Sequence, residues 1–138
     1  MRVCFNQNVD NVTFGKGKAV QQVMPKIDFA KLENMIVSGT TKQKRMALAS
    51  IKGINKNNGN YMPGLRLVGI ALDDAIPEIR HQAVNVLSNF ADTTIFKNIN
   101  GSRERFDIVL KKADKDPNKQ VSDKAREIKL KLQKYYGY

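Results

Sequence analysis

The apolar residues between positions 72 and 92 recur with the spacing of one helix face. Within LDDAIPEIRHQAVNVLSNFAD they stand at Ile79, Ala83, Val84, Val86, Leu87 and Phe90. Intervals of three and four residues are typical of an amphipathic helix. Asp73 and Asp74 close the apolar run before this segment, and Pro77 stands where a helix can begin. The pattern predicts a helix, a tight turn, and a second helix from Pro77 to about Ala91.

A first helical hairpin is predicted upstream. Asp28 can cap a helix that ends at Gly39, and Thr40 or Thr41 can cap the helix that follows. The KNNGN segment at 56–60 then supplies a break. The apolar positions of this hairpin are Phe29, Leu32, Met35 and Ile36 in the first helix and Ala47, Leu48, Ile51 and Ile54 in the second.

The helix predicted before the Pro77 helix is apolar on nearly every side. It is predicted to begin near Tyr61, with Pro63 in its first turn. Its apolar residues are Leu65, Leu67, Val68, Ile70, Ala71 and Leu72. A helix of this kind is typically covered on both sides by neighbours. We therefore expect it to be the first helix of a central hairpin, with the Pro77 helix as its partner.

A third hairpin is predicted after a polar connection at 92–101. Ser102 can cap its first helix, and Asp116 and Pro117 can provide the cap and first turn of its second helix, which extends to about Tyr136. The apolar positions are Phe106, Val109, Leu110 and Ala113, followed by Val121, Ala125, Ile128, Leu132 and Tyr135. Ile95, Phe96 and Ile99 of the connection are expected to fold back on the core.

The second helices of the last two hairpins match at a shift of 42 residues. Setting Val121 on Ile79 places Ala125 on Ala83 and Leu132 on Phe90. The match is imperfect, because Ser122 falls on Arg80, Pro117 stands two residues too early, and Gln43 falls on Ile79 when Ala47 is set on Ala83. A period of about 40–47 residues is typical of two-helix repeat arrays.

The central segment resembles the second-helix signature of HEAT and armadillo-type repeats, D-x-x-P-x-V-R-x-x-A-x-x-A-L. The matching residues are Asp74, Pro77, Ile79, Arg80, Ala83 and Leu87, whereas Val86 departs from the small residue usual at its position. The resemblance implies an all-α fold: a short α-solenoid of about three HEAT-like hairpins over residues 27–138, preceded by a flexible arm. It also implies that Asp74 and Arg80 take part in a ladder between adjacent repeats. The competing fold is a six-helix bundle without superhelical order.

Residues 1–26 are rich in Asn, Gln, Gly and Lys and fit no long helical face. We expect a flexible polar arm that docks apolar side chains on the helical body, with Phe5 or Phe14 as its anchor. The alternative is a disordered segment.

Composition limits the classes of function. The chain has 138 residues, enough for one domain, and a formal net charge of +11. Its single cysteine, Cys4, excludes an intrachain disulfide and a four-cysteine zinc site. The chain shows neither the apolar run of a signal peptide nor the ~18 apolar residues that a membrane span needs. We expect a cytoplasmic protein without a membrane partner.

Catalytic chemistry has little support in the sequence. His81 is the only histidine and lies off the apolar stripe, and FGKGK at 14–18 lacks the remaining residues of a P-loop. Asp73 and Asp74 stand at a helix end and a helix start, where capping explains them. We expect no enzyme activity, no cofactor and no metal site.

Positive charge is concentrated toward the two ends of the helical region. Residues 40–60 hold five basic residues and no acidic one, whereas residues 102–138 hold eleven basic and six acidic residues. Intrahelical pairs on a solvated face account for part of the latter. Since second helices line the concave surface of HEAT arrays, the expected partner-binding residues are Lys42, Arg45, His81, Asn85, Asn89, Lys124 and Lys131.

Such a face is expected to bind an acidic or mixed protein partner as a non-enzymatic adaptor. The alternative is sequence-nonspecific binding of a nucleic-acid backbone, which the charge permits without any base-reading motif. A subunit role in a larger particle is a further alternative. The pattern does not specify the partner, because repeat folds serve many unrelated functions.

Overall fold

The computed structural model describes the backbone of residues 27–54, 58–91 and 101–136. This part of the chain forms six helices and no strand. They are α1 (Phe29–Ser38), α2 (Thr41–Ile54), α3 (Asn58–Ala71), α4 (Pro77–Ala91), α5 (Ser102–Asp114) and α6 (Lys119–Tyr136). The predicted all-α class is confirmed. The arm at 1–26 and the anchors Phe5 and Phe14 lie outside the described residues, as do Ile95, Phe96 and Ile99.

The helices pair as hairpins that neighbour one another in chain order. The pairs are α1 with α2, α3 with α4, and α5 with α6. Among the first helices of the pairs, α3 contacts both α1 and α5; among the second helices, α4 contacts both α2 and α6. The central hairpin therefore packs between the other two, with first helices against first helices and second against second.

The central helix α3 is buried as predicted. Its side chains Tyr61, Leu65, Leu67, Val68 and Ala71 are buried, as is Leu72 directly after the helix, whereas Ile70 is half-buried. The Tyr61 ring meets the Phe90 ring edge to face at a centroid distance of 5.0 Å, and its hydroxyl donates to the Phe90 carbonyl oxygen at 3.3 Å. A Cβ at Gly64 would lie 3.0 Å from Phe90 Cζ. The glycine thus allows α3 and α4 to pack closely at this point.

The structure corrects the predicted start of α3. The helix begins at Asn58, three residues before Tyr61, and Pro63 lies inside it. The N-terminal preference of proline is statistical, and here the helix continues upstream through residues that sequence rules assign to a break. The break is correspondingly shorter than the predicted 56–60.

The first hairpin begins with the predicted caps. Asp28 Oδ1 accepts from the Lys31 amide at 3.0 Å. Thr40, rather than Thr41, caps α2: its hydroxyl accepts from the Gln43 amide at 3.2 Å, and Gln43 Oε1 accepts from the Thr40 amide at 2.8 Å. This reciprocal capping box explains why exposed Gln43 replaces an apolar residue at the position of Ile79.

Two predicted caps of the third hairpin are wrong by one or two residues. Ser102 is the buried first residue of α5, and Gly101 is its N-cap, with a φ of 80°. Glycine adopts this left-handed conformation without a steric penalty. Asn118 rather than Asp116 caps α6, because its Oδ1 accepts from the Gln120 amide at 3.0 Å. Asp116 and Pro117 belong to the turn before it.

The predicted apolar stripes form one core. Ile79, Ala83, Val84, Val86, Leu87 and Phe90 of α4 are buried, and so are Ala47, Leu48 and Ile51 of α2. In the third hairpin the buried residues are Phe106, Val109, Leu110, Ala113, Val121, Ala125, Ile128 and Leu132. No described helix is both long and apolar enough to cross a membrane.

Candidate functional site: the second-helix face

Two mostly buried ion pairs connect each second helix to the turn of the next hairpin. Lys44 Nζ on α2 donates to Asp74 Oδ2 at 2.6 Å, in the turn before α4. Arg80 Nε on α4 donates to Asp116 Oδ2 at 2.8 Å, in the turn before α6. Both carboxylates are only 6% exposed. The pairs fix how neighbouring second helices lie against one another.

The two acceptor aspartates occupy equivalent turns, 42 residues apart. Asp74 Oδ1 accepts from the amide of Ile76 at 2.9 Å, and Asp116 Oδ1 accepts from the amide of Asn118 at 2.8 Å. In each turn the aspartate carboxylate accepts a hydrogen bond from the backbone amide two residues later, the geometry of an Asx turn.

The expected pairing of Asp74 with Arg80 takes a different form. Arg80 Nη1 donates to the backbone carbonyl of Asp74 at 2.8 Å, while its carboxylate partner is Asp116. The carboxylate of Asp74 already accepts from Lys44 and from its own turn. The ladder that the resemblance implied thus connects different residues: Lys44 with Asp74, and Arg80 with Asp116.

The surroundings of Asp74 lower the pKa of its carboxyl below the ordinary value of 3.8. Burial, the largest single influence, raises the pKa, but it is outweighed by the hydrogen bonds from Lys44 and the Ile76 amide together with nearby positive charge. The positive charges of Lys44 and Arg80 act in the same direction as these hydrogen bonds. The charged form of Asp74 is therefore the form that the fold stabilises.

The solvent-facing side of α2, α4 and α6 is the second-helix face. Among the predicted binding residues, Lys42, Arg45 and Asn85 are exposed, whereas His81, Asn89, Lys124 and Lys131 are half-buried. They lie on three successive neighbouring helices. Gln82 Nε2 on α4 donates to the Arg45 carbonyl oxygen on α2 at 3.0 Å, and this hydrogen bond connects the first two of these helices.

α2 contributes uncompensated positive charge to this face. Lys42, Arg45 and Lys52 are exposed, and α2 contains no acidic residue. Lys44 is not available to a partner, because its ammonium group is engaged by Asp74. With Ala49, the three exposed cations follow intervals of three and four residues, so they share one stripe of α2.

The lysines of α6 stand among carboxylates. Lys124 Nζ lies 2.9 Å from Glu127 Oε1, and Asp123 pairs with both Lys119 and Arg126. The hydrogen bond from Lys124, together with the charges of Lys124 and Lys131, lowers the pKa of Glu127. α6 carries six basic and two acidic residues, so its carboxylates compensate its positive charge only in part.

Two exposed residues of the face were missed as binding candidates. Lys52 completes the cationic stripe of α2, and the signal for it was its spacing of seven residues from Arg45. Met46 is 53% exposed beside that stripe. The sequence did not show that Met46 is exposed, because methionine is an apolar residue type that is usually buried.

The described residues contain no group of three or more metal-ligating side chains. His81, which follows Arg80 in the sequence, is half-buried. What this arrangement offers a ligand is a line of cations next to neutral amide side chains. Comparisons of the chain with protein-family models, with curated proteins and with solved structures gave no match.

Proposed function

We propose that this protein is a non-enzymatic helical-repeat binding module. Its second-helix face engages an acidic or mixed protein partner, and α2 supplies the main cationic contact. The observation that carries the proposal is the stripe of Lys42, Arg45 and Lys52 on a helix without acidic residues. Exposed cations without local compensation favour binding of a negatively charged surface.

The packing supports a HEAT-like repeat arrangement. Hairpins neighbour one another in chain order, and equivalent aspartate turns recur 42 residues apart. The ion pairs from Lys44 and Arg80 connect each second helix to the following hairpin. Such arrays present an extended surface built from equivalent helices, which suits binding of a partner segment.

A protein partner fits this face better than a nucleic acid. The middle row, on α4, is neutral at Asn85 and Asn89, and the α6 row pairs Lys124 with Glu127. A nucleic-acid backbone presents phosphates at regular intervals and favours a continuous basic track. A protein segment can place acidic residues against α2 and polar or apolar residues against α4 and α6.

Titration with two classes of probe tests this function. The protein probe is a short peptide of alternating acidic and apolar residues, with a control in which glutamine replaces every glutamate. The nucleic-acid probes are mixed-sequence duplex DNA and single-stranded RNA. We expect the acidic peptide to bind more tightly than either nucleic acid at moderate salt, and the glutamine peptide to bind at least about tenfold more weakly.

Preferential binding of DNA or RNA would contradict this function. In that case the logarithm of the affinity should fall steeply and linearly with the logarithm of the salt concentration, as phosphate neutralisation requires. That result would support the alternative of sequence-nonspecific backbone binding. A shallow slope or no nucleic-acid binding would remove the alternative.

A further inference from the structure

A groove lies between the first helices α3 and α5, distinct from the second-helix face. It has a volume of about 230 Å³ and is lined by Met62, Leu65, Arg66, Arg105, Ile108 and Val109. Leu65 and Val109 are buried, and Met62 is half-buried. Ile108 is 63% exposed. Apolar side chains thus line a concave surface open to solvent.

The two helices of the groove are joined by contacts toward their carboxyl ends. Lys112 Nζ on α5 donates to the Gly69 carbonyl oxygen on α3 at 3.2 Å and to Asp73 Oδ2 at 2.9 Å. A Cβ built on Gly69 would lie 3.5 Å from Val109 Cγ2, so the helices meet closely there. The residues of the groove lie in the middle parts of both helices, and Val109 belongs both to the groove and to this contact. A cleft fixed in this way needs little rearrangement to accept a ligand.

Two arginines border the apolar surface. Arg66 donates to both carboxylate oxygens of Glu33 on α1, at 2.8 and 3.3 Å, and this pair orients its guanidinium. Arg105 is exposed and makes no ion pair with the described residues. The border of the groove therefore carries two positive groups against one carboxylate.

The size and charge of the groove point to a protein segment as its occupant. Its volume is below the range of about 300–1,000 Å³ typical of small-molecule sites and fits one or two apolar side chains. Residues 1–26 hold four basic residues and one acidic residue, and a second copy of the chain would carry a charge of +11. Both would be repelled by the arginines, whereas acidic residues would be attracted.

We propose that the groove between α3 and α5 docks an acidic amphipathic helix of a protein partner. The partner helix inserts an apolar side chain between Met62 and Ile108 and places its acidic side chains near Arg66 and Arg105. Amphipathic helices commonly bind hydrophobic grooves through apolar residues one or two turns apart. This site is independent of the second-helix face and extends the binding capacity of the protein to its first-helix side.

Methyl NMR with a defined peptide tests the proposal. The probe is a helix-forming peptide with leucines on one face and glutamates on both flanks. We expect the methyl signals of Ile108 and Met62 to shift on titration, with that of Met46 on the second-helix face unchanged. Replacement of the leucines by alanine, or of the glutamates by glutamine, should weaken binding by about tenfold or more.

Matched variants separate the groove from general electrostatic attraction. Ile108→Glu and Arg105→Glu should each weaken peptide binding by about tenfold, whereas Leu130→Glu, at a comparably exposed position on α6, should leave it unchanged. If Ile108→Glu lowers the stability of the fold, Arg105→Glu alone decides. Shifts at Met46 in place of Ile108, full affinity in both groove variants, or a concentration-dependent dimer lost in Ile108→Glu would each overturn the proposal.

Discussion

The guanidinium of Arg80 on α4 donates to both carboxylate oxygens of Asp116, at 2.8 and 3.3 Å, across the boundary between the second and third hairpins. Lys44 on α2 makes the equivalent contact with Asp74 across the boundary before it. All four side chains are at most 16% exposed. The boundaries between hairpins are therefore held by specific charge pairs as well as by apolar packing.

Asp116→Asn should destabilise the protein by about 1–3 kcal/mol, because it removes the charge that pairs with Arg80 in a poorly solvated position. The amide oxygen can still accept from the Asn118 amide, so the turn itself is retained. Urea unfolding measures the loss. Glu33→Gln, which breaks the exposed pair with Arg66, is the control and should leave the unfolding midpoint almost unchanged. Equal losses in the two variants would argue against a special role for the buried pair.

Asp74 should contribute to acid sensitivity. Its pKa is lower in the folded protein than the ordinary 3.8, so its stabilising contribution is complete above that value and is lost as pH falls through the folded pKa. Asp74→Asn should therefore be less stable than the wild type at neutral pH, and the difference should shrink on acidification. The measurement is the free energy of unfolding as a function of pH.

Asp107 provides a control of opposite sign. Burial raises the pKa of its carboxyl, while Lys111 and Arg103 offset part of that effect. Its charged form is therefore disfavoured by the fold, and its removal should not reduce stability at neutral pH. If Asp107→Asn and Asp74→Asn showed the same dependence on pH, the assigned environment of Asp74 would be wrong.

Leu87→Ala should cost about 2–5 kcal/mol, because the Leu87 side chain is fully buried in α4. Leu130→Ala on α6 is the matched control, since its side chain is 59% exposed, and it should change stability by about 0.5 kcal/mol or less. Chemical denaturation of both variants checks the prediction. A loss well below about 1 kcal/mol for Leu87→Ala would mean that this side chain is not part of the core.

Tyr61 should make the fold sensitive to alkali. Burial raises the pKa of its hydroxyl above the ordinary value of 10.0, so ionisation is easier in the unfolded chain. Stability should therefore fall as pH rises above that value. Tyr61→Phe should show a weaker alkaline decline, although it also loses the hydrogen bond to the Phe90 carbonyl oxygen. An unchanged decline in the variant would place the responsible groups elsewhere.

Much of the helical pattern could be predicted from the sequence, because burial follows the spacing of apolar residues closely. The α4 stripe and the all-sided burial of α3 are examples. Helix ends were harder to predict. Gly101 acts as an N-cap through its backbone conformation, and α3 continues upstream of Pro63, which local rules place in the first turn.

The ion pairs show where sequence comparison was insufficient. Asp74 and Arg80 were predicted to take part in a ladder, but the partner of each side chain depends on which hairpin it reaches. Lys44 takes the role of Arg80 in the first hairpin. It stands 36 residues before Arg80, whereas equivalent positions of the second and third hairpins are 42 residues apart. Ser122 stands at the same position of α6.

The candidate site could be predicted only in part. The positive charge of residues 40–60 lies mainly on α2, where no acidic residue stands. On α6, Lys124 was a candidate by position, but its pairing with Glu127 depends on the rotamers of both side chains. Charge counts along a sequence do not distinguish cations that are already paired from those left for a partner.

The most direct test of the second-helix face is charge reversal on α2. The variant Lys42→Glu, Arg45→Glu, Lys52→Glu is compared with Lys31→Glu, Lys111→Glu, Lys115→Glu, three exposed lysines on α1, on α5 and in the turn after α5. Both variants change the net charge equally. Binding of the acidic peptide is measured by fluorescence anisotropy. The α2 variant should bind at least about tenfold more weakly than the control variant; equal affinity of the two variants would contradict the assignment of the site to this face.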